Sequence, residues 1–265
     1  MENQDKIALL IDAENISKKY IKLIMDEVGE YGVVTYKRVY GDFTNPSVTT
    51  WKSNLVDYAM TPVFQFNYTK GKNASDSAMV IDAMDILYSG KVNGFCLVTS
   101  DSDFTKLAIR LREAGMLVVG MGERKTPSSL VAACDTFKYL DLLYNEDEKE
   151  VEDVSSTKLE EKIDMEVDEN REVEEDDTEI NTIPDKSDVG VEITSIIESV
   201  SDENGWAFLG VLGNMLSKRI PGFDPRNYGY NKLKAFIESY DCYEIQETPN
   251  PKSEFLKLVY VKKKS

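Results

Sequence analysis

Aspartates that follow apolar runs are the residues of this chain whose type and spacing favour chemistry. Asp12 ends one apolar run, and Asp101 and Asp103 follow another that ends at Val98. Two carboxylates within one helical turn repel each other, which raises their pKa values unless a cation neutralises them. Hard divalent metal ions prefer oxygen ligands of this kind. The pattern therefore predicts an acidic site that holds a divalent metal.

A third acidic group lies at the start of a long predicted helix. Asp76 follows the stretch Lys70 to Ser75 and falls in the first turn of that helix, so its carboxylate can point toward the same site. Successive helical residues turn by about 100°, which places Asp82 well round the helix and Asp85 roughly opposite Asp76. We therefore treat Asp82 as a supporting residue and Asp85 as a solvated surface charge.

Helix capping is the alternative interpretation of each aspartate, because Asp is favoured at helix N-termini. Capping accounts for one member of the Asp101 and Asp103 pair more easily than for both. The chain lacks histidine, so any acid, base or metal chemistry has to use carboxylates. Carboxylates that converge from three loops suit metal-assisted hydrolysis of phosphodiesters, in which the metal activates water and stabilises the leaving oxygen.

Alternating apolar runs and helix-period segments predict the elements that carry these aspartates. This alternation is typical of a parallel sheet covered on both faces, and such sheets bind ligands outside the carboxyl ends of their strands. We predict a doubly wound, mainly parallel α/β domain over residues 1–145. Its strands are expected at 7–12, 33–40, 62–67, 94–100, 117–121 and 137–140, and its helices near 15–29, 47–59, 74–89, 103–114 and 127–134.

The net charge of −17 is concentrated in one segment. Residues 1–145 carry 16 Lys and Arg against 18 Asp and Glu, residues 146–189 carry 5 against 20, and residues 190–265 carry 10 against 10. The middle segment thus holds 15 of the 17 excess negative charges, and the flanking regions stay open to a nucleic-acid partner. Because residues 146–189 have no aromatics and few large apolar residues, they are predicted to form an acidic disordered linker.

A second, smaller domain is predicted over residues 190–265. Apolar residues return at helical spacing after Gly190 and indicate three short helices. Two β segments follow, separated by the turn Pro249-Asn-Pro251. Two strands after three helices are typical of a winged-helix domain.

The motifs of the first domain resemble the NYN domain, the LabA-like branch of the PIN nuclease superfamily, over about residues 5–142. They are Ile11-Asp-Ala-Glu-Asn15, Lys70-Gly-Lys-Asn-Ala-Ser-Asp76 with Asp82, and Val98-Thr-Ser-Asp-Ser-Asp-Phe104. This resemblance implies a ribonuclease fold that depends on Mg²⁺ or Mn²⁺. It also implies that the catalytic, metal-binding residues are Asp12, Asp76, Asp101 and Asp103. Asn15 and Ser100 are the implied supporting residues.

The second domain resembles the OST-HTH or LOTUS domain over about residues 191–262. The resemblance is carried by Asp202-Glu-Asn-Gly-Trp206, the segment Leu209 to Leu216, and Pro221-Gly-Phe-Asp-Pro-Arg-Asn-Tyr-Gly-Tyr230. Domains of that family bind RNA or protein partners and are not catalytic. The implied partner is therefore RNA, single-stranded or structured, and protein partners remain a second option.

Basic side chains near predicted strand ends and in the second domain are candidates for contacts with RNA phosphates. The principal candidates are Arg38, Lys70, Lys72, Lys106, Arg226 and Lys232, and the wider set adds Arg124, Lys125, Lys218, Arg219 and Lys234. Tyr68 and Phe104 are candidates for stacking on bases. The alternative is an ordinary solvated surface for the basic residues and a core position for the aromatics.

These features together predict a metal-dependent endoribonuclease whose second domain binds RNA. A non-catalytic RNA-binding adaptor is the alternative, because Asn73, Ala74 and Ser75 intervene here where family members often place the aspartate directly after Lys-Gly-x. A phosphatase of the haloacid dehalogenase type fits less well. That chemistry needs a second aspartate where this chain has Glu14.

The remaining sequence features concern the environment of the protein. Cys96, Cys134 and Cys242 lie far apart, which predicts neither a zinc site nor a disulfide framework. The N-terminal residues lack a signal pattern, and no apolar run is long enough to span a bilayer. We therefore expect a cytoplasmic protein with no membrane partner, and the sequence makes no prediction about its oligomeric state.

Overall fold

The computed structural model describes residues 5–64, 74–145, 183–250 and 253–264. Three candidate RNA contacts, Lys70, Lys72 and Tyr68, lie outside the described residues. Most of the predicted linker and Pro251 of the predicted turn also lie outside them.

A six-stranded sheet, in which every neighbouring pair of strands is parallel, forms the centre of the first domain. Its strands are β1 (Lys6–Asp12), β2 (Val33–Gly41), β3 (Thr61–Phe64), β4 (Gly94–Val98), β5 (Leu117–Gly122) and β6 (Thr136–Tyr139). Their order is β3-β2-β1-β4-β5-β6, so the chain builds one half outward from β1 and then crosses to build the other half from β4. The predicted α/β fold class is confirmed. The crevice between β1 and β4 is the switch point at which doubly wound sheets bind ligands.

Helices connect the strands: α1 (Ile21–Gly29), α2 (Pro46–Thr49), α3 (Lys52–Asp57), α4 (Ala74–Ser89), α5 (Thr105–Glu113), α6 (Ser128–Ala133) and the helical residues 140–145, named α7. The helices predicted near 15–29 and 103–114 begin instead as 3-10 turns, Lys18–Tyr20 and Ser102–Phe104. Each turn is capped by the side chain before it, Ser17 in the first and Asp101 in the second. Side-chain capping is thus part of the role of Asp101, as the alternative interpretation expected.

Alternate side chains of β1 divide the core into two layers. Ile7, Leu9 and Ile11 pack with residues of α1, whereas Ala8 and Leu10 pack with residues of α4 and α5. Both faces of the central strand are therefore covered, which explains its continuous apolar sequence. This burial fixes the backbone that carries Asp12 at the end of β1.

The second domain combines three helices with a small antiparallel sheet. Its elements are α8 (Lys186–Val200), β7 (Ala207–Phe208), α9 (Leu209–Arg219), α10 (Leu233–Glu238), β8 (Tyr243–Asn250) and β9 (Ser253–Lys263). The sheet order is β7-β9-β8, so the predicted two-stranded wing gains a short third strand. The first helix begins at Lys186, within the segment 146–189 that the sequence assigns to the linker.

No helix within the described ranges is both long and apolar enough to cross a membrane.

Candidate metal centre at the carboxyl edge of the sheet

Asp12 lies at the carboxyl end of β1 and is almost fully buried, with 1% of its surface exposed. Its Oδ1 atom accepts hydrogen bonds from the backbone N–H groups of Glu14 and Asn15, at 3.1 and 3.3 Å. Its Oδ2 atom accepts from the Asn15 side-chain amide at 2.8 Å and from the Thr99 hydroxyl at 3.0 Å. Burial raises the pKa of Asp12, and these hydrogen bonds act in the opposite direction. Four donors thus hold the carboxylate in one orientation.

Thr99 links the acidic residues that follow β1 and β4. It comes directly after β4 and is buried, and its Oγ1 atom donates to Asp12 while accepting from the backbone N–H of Asp101 at 3.1 Å. Asp101 in turn accepts from the backbone N–H of Asp103 at 2.9 Å. One hydroxyl therefore sets the separation of the two strand-end motifs. The sequence pattern contained Thr99 but offered only one signal for its role, a polar residue directly after a buried strand.

Asp76, Asp101 and Asp103 converge into one cluster. Each offers a carboxylate oxygen, and these three oxygens lie within 4.8 Å of one another. Asp76 comes from the first turn of α4, and the other two come from the 3-10 turn after β4. Asp12, the fourth predicted ligand, is not in this group of described carboxylates, but its charge acts on Asp76.

Burial and mutual repulsion together affect the carboxylates of this cluster. Burial raises the pKa of Asp76 to about 6, with further contributions from the negative charges of Asp12, Asp101, Glu14 and Asp103. A pKa raised by like charges reflects an unfavourable interaction that a bound cation would remove. Glu14 therefore belongs to the electrostatic environment of the site, a role that its sequence position did not indicate.

The residues present fit a divalent cation such as Mg²⁺ or Mn²⁺. The three clustered donors are carboxylate oxygens, which such cations prefer. Asp76 and Asp101 are partly exposed and Asp103 is exposed, so an ion can reach all three from solvent. These three side chains would hold the ion, and Asp12 would add negative charge behind them.

Ser100 supports the loop that carries the cluster. Its buried hydroxyl accepts a hydrogen bond from the backbone N–H of Glu123 at 2.9 Å, which ties the end of β4 to the end of β5. Glu123 is a further carboxylate at this edge that the sequence pattern did not single out. It accepts from the Tyr20 hydroxyl at 3.2 Å and pairs with Lys125 at 2.8 Å, so its charge is already engaged.

Asp82 lies on α4 but is not among the three clustered carboxylates of the described chain. Its carboxylate accepts hydrogen bonds from the Arg38 guanidinium and the Tyr40 hydroxyl, both on β2. The hydrogen bond with Asp82 raises the pKa of Arg38. Two predicted site residues, Arg38 and Asp82, therefore pair with each other. Their contact fixes the helix that presents Asp76.

The principal RNA-contact candidates within the described residues differ in availability. Lys106 on α5 and Lys232 before α10 are exposed. Arg226 instead pairs with Glu27 of the first domain and with Asp224, so it faces a domain interface and not solvent-borne RNA. Phe104 is 1% exposed in the core, which removes its ring from base stacking.

The wider set of basic residues is also divided. Lys125 pairs with Glu123, Arg219 pairs with Glu192, and Lys234 pairs with Glu247. Arg124 and Lys218 are exposed. Most of the paired residues lie at exposed positions, where such ion pairs are weak and exchange readily with other charged partners.

Comparison with known proteins gives the family. The NYN domain model matches residues 6–141, and the OST-HTH/LOTUS domain model matches residues 185–254. An uncharacterized protein of Methanocaldococcus jannaschii is 25% identical over 126 residues, covering 46% of this chain and 49% of its own length. The chain thus spans about half the length of the curated relative it matches. A crystal structure of a protein of unknown function from Vibrio parahaemolyticus covers 52% of this chain and 93% of its own, at 19% identity and a TM-score of 0.44. Because the first model matches more than half of the 265 residues, this protein belongs to the NYN domain family, and an OST-HTH/LOTUS domain follows its NYN domain.

Proposed function

We propose that this protein is a metal-dependent endoribonuclease that hydrolyses RNA phosphodiesters and uses its OST-HTH domain to bind the RNA. The observation that carries the proposal is the cluster of Asp76, Asp101 and Asp103, whose carboxylate oxygens lie within 4.8 Å of one another. The cluster occupies the carboxyl edge of the sheet, where doubly wound folds bind their ligands. The NYN domain belongs to a nuclease-like superfamily, which supports the same reaction class.

The side chains divide the work of this site between them. Asp76, Asp101 and Asp103 would hold Mg²⁺ or Mn²⁺. Such an ion, when bound, supplies an activated water and stabilises charge on the phosphate and leaving oxygens. Hydrogen bonds from Asn15 and Thr99 hold Asp12 in one orientation. The negative charge of Asp12 therefore acts on the cluster from a fixed position. Since the chain contains no histidine, a carboxylate is the side chain we expect to accept a proton at this site.

RNA would approach this edge from the exposed side of Asp103. Lys106 lies one helical turn beyond it on α5 and is exposed, so its ammonium group can contact a phosphate next to the cluster. The OST-HTH domain adds the exposed Lys232. Because neither domain carries a large net positive charge, we expect modest affinity that depends on a small number of phosphate contacts.

The test is a cleavage assay with a matched pair of variants. Asp101→Asn removes one carboxylate from the cluster, and Asp85→Asn makes the same change at an exposed position of α4 outside the cluster. Wild-type protein and Asp85→Asn should cut labelled single-stranded RNA with Mn²⁺ or Mg²⁺ and not with EDTA. Asp101→Asn should lose cleavage at least 100-fold while keeping its circular-dichroism spectrum. A circular RNA, which has no ends, distinguishes internal cleavage from trimming.

A non-catalytic RNA-binding adaptor is the second candidate. It is favoured by the three residues, Asn73 to Ser75, that separate Asp76 from the Lys-Gly-Lys motif. If the protein is an adaptor, RNA should shift on a gel equally well in EDTA and in Mn²⁺, and no product should form with any metal. Equal cleavage by wild type and Asp101→Asn would contradict the proposal that the carboxylate cluster is the catalytic site.

A further inference from the structure

Four charged residues form a cluster between the two domains, and three of them are buried. Glu27 on α1 and Lys138 on β6 belong to the NYN domain, and Asp224 and Arg226 belong to the OST-HTH domain. The Arg226 guanidinium donates to both carboxylate oxygens of Glu27, at 2.5 and 2.9 Å. The Lys138 ammonium group lies 3.2 Å from Glu27 and 2.8 Å from Asp224. Two ion pairs therefore cross the interface: the OST-HTH domain supplies the cation of one pair and the anion of the other.

Three of these groups are largely removed from water, the Arg226 side chain is 27% exposed, and all four pair with one another. The side chains of Glu27, Lys138 and Asp224 are 5%, 10% and 9% exposed. Burial by itself would raise the pKa of Asp224, but hydrogen bonds from Arg226 and the charge of Lys138 lower it to about 2. The same partners lower the pKa of Glu27 against the effect of its burial. All four groups thus stay charged at neutral pH, and each has a partner of opposite sign.

A close backbone approach accompanies the ion cluster. Gly222 has a φ of +76°, and a Cβ atom at this position would lie 3.2 Å from the ring of Tyr139 on β6. Glycine allows both the left-handed conformation and this contact. Asp224 then starts the 3-10 turn Pro225–Tyr228 and accepts from the backbone N–H of Arg226. The loop before this turn is therefore shaped to fit against the edge strand of the NYN sheet.

Buried ion pairs contribute more to orientation than to affinity. Separation of the domains would return these charges to water, so the net gain from pairing them is small. A bidentate Arg and carboxylate pair, however, depends on the relative geometry of the two groups, and a rotated domain would leave buried charge unpaired. The cluster therefore favours one orientation of the OST-HTH domain on the flank formed by β6 and α1, and none of its four residues belongs to the group of clustered carboxylates.

We propose that Glu27, Lys138, Asp224 and Arg226 are positioning residues that hold the OST-HTH domain at a fixed orientation relative to the metal centre. Resting on the nuclease function proposed above, this fixes the path of an RNA strand from the OST-HTH domain to the carboxylates. RNA held by both domains is then cut at a set distance from its binding position. The cluster acts on the choice of cleavage position and leaves the chemistry at the carboxylates unchanged.

The domain orientation can be measured without any assay of activity. Cys242 is exposed, whereas Cys96 and Cys134 are buried, so a second cysteine at the exposed Lys91 of the NYN domain gives a pair for spin labels. Pulsed electron paramagnetic resonance on the full chain should give one narrow distance distribution. Arg226→Glu places a third carboxylate beside Glu27 and Asp224, and should broaden the distribution. Lys263→Glu is the matched control, since it makes the same charge change in an exposed pair with Glu198 inside the OST-HTH domain.

Glu27→Gln tests the interface from the other domain and keeps the side-chain shape. It should broaden the distance distribution, as Arg226→Glu does. Circular dichroism and thermal unfolding of each variant show whether both domains stay folded. A broad distribution in the wild type, or an unchanged narrow one in both folded variants, overturns the proposal whether or not the protein cuts RNA.

Cleavage products provide the second readout. On a long single-stranded RNA that has one binding position, the wild type and Lys263→Glu should give a narrow set of product lengths, and the folded Arg226→Glu variant a broad set. Hydrolysis of an RNA too short to reach both domains should differ less than about twofold between these proteins. Unchanged product lengths in a variant whose domains have separated contradict the positioning role. Absence of cleavage in every protein contradicts the nuclease function, and the distance measurement then decides the orientation alone.

Discussion

The Thr99 hydroxyl donates a hydrogen bond to the Oδ2 atom of Asp12 at 3.0 Å, and so joins two residues that are 87 positions apart in the chain. Both groups are almost fully buried, with 1% exposure each. The same hydroxyl accepts from the backbone N–H of Asp101. The acidic ends of β1 and β4 therefore keep their relative positions through one side chain that is not itself acidic.

Thr99→Val should weaken the site while preserving its shape. The substitution leaves one oxygen of Asp12 short of a donor in a buried position, which costs about 1–3 kcal/mol. Loss of a group that orients metal ligands commonly lowers metal affinity or activity by about 10- to 100-fold. We expect a loss of this size in Mn²⁺ affinity, measured by calorimetry, and in RNA cleavage. Thr99→Ser keeps the hydroxyl and should retain most of both, and a Thr99→Val protein with wild-type affinity would contradict the role.

Asp76→Asn should stabilise the metal-free protein at neutral pH. The pKa of Asp76 rises from 3.8 to about 6 on folding, so the folded chain binds more protons than the unfolded chain between these values. Ionisation of Asp76 then costs stability as the pH rises from about 4 through about 6. In EDTA, the variant should melt at a higher temperature than wild type at pH 7, with little difference at pH 4. The control Asp85→Asn should show neither effect, and a lower melting temperature for Asp76→Asn at pH 7 would show that the cost of burying and crowding this charge does not dominate there.

Addition of Mn²⁺ should stabilise the folded wild type, and the size of this stabilisation should depend on pH. A ligand at 100 times its dissociation constant stabilises the folded state by about 2.7 kcal/mol. Below about pH 6, the proton on Asp76 competes with the cation, so the rise in melting temperature should be smaller at pH 5 than at pH 7.5. Asp101→Asn should lose most of the rise at both pH values. An equal rise in wild type and variant would place the bound Mn²⁺ elsewhere.

Lys232→Ala tests whether the OST-HTH domain contacts an RNA phosphate. Lys232 is exposed immediately before α10. Loss of one phosphate contact should weaken binding to RNAs of different sequence to a similar extent, and should lower the slope of log affinity against log salt by about 1. Lys263→Ala, at another exposed position of the same domain, is the control. Identical salt slopes for wild type and Lys232→Ala would remove this residue from the RNA-binding surface.

Local features of the sequence are sufficient to predict much of the fold. The alternation of apolar runs with helical segments predicts a parallel sheet, because a strand covered on both faces has to be apolar throughout, as β1 is. The aspartates that end such strands meet at one edge for the same geometric reason. Asp101 and Asp103, which follow β4, lie in one cluster as this rule leads one to expect, and the first turn of α4 adds Asp76.

Other predictions depend on contacts that no local pattern encodes. Arg226 carries the type of side chain that contacts RNA phosphates, yet it pairs with Glu27, 199 positions away. Asp82 and Arg38 were assigned different roles and form an ion pair across α4 and β2. In both cases the partner is set by how two elements pack, which depends on the shapes of whole faces.

The sequence by itself thus determined the fold class and the two families, because helical and strand periodicity, strand ends and motif spacing are local properties. The tertiary structure alone decided that Thr99 orients Asp12, that three of the four aspartates share one cluster, and that the OST-HTH domain meets the NYN domain through a cluster of ion pairs. Hydrogen bonds and ion pairs act over a few ångströms. They can therefore be assigned only once folding has brought distant residues together.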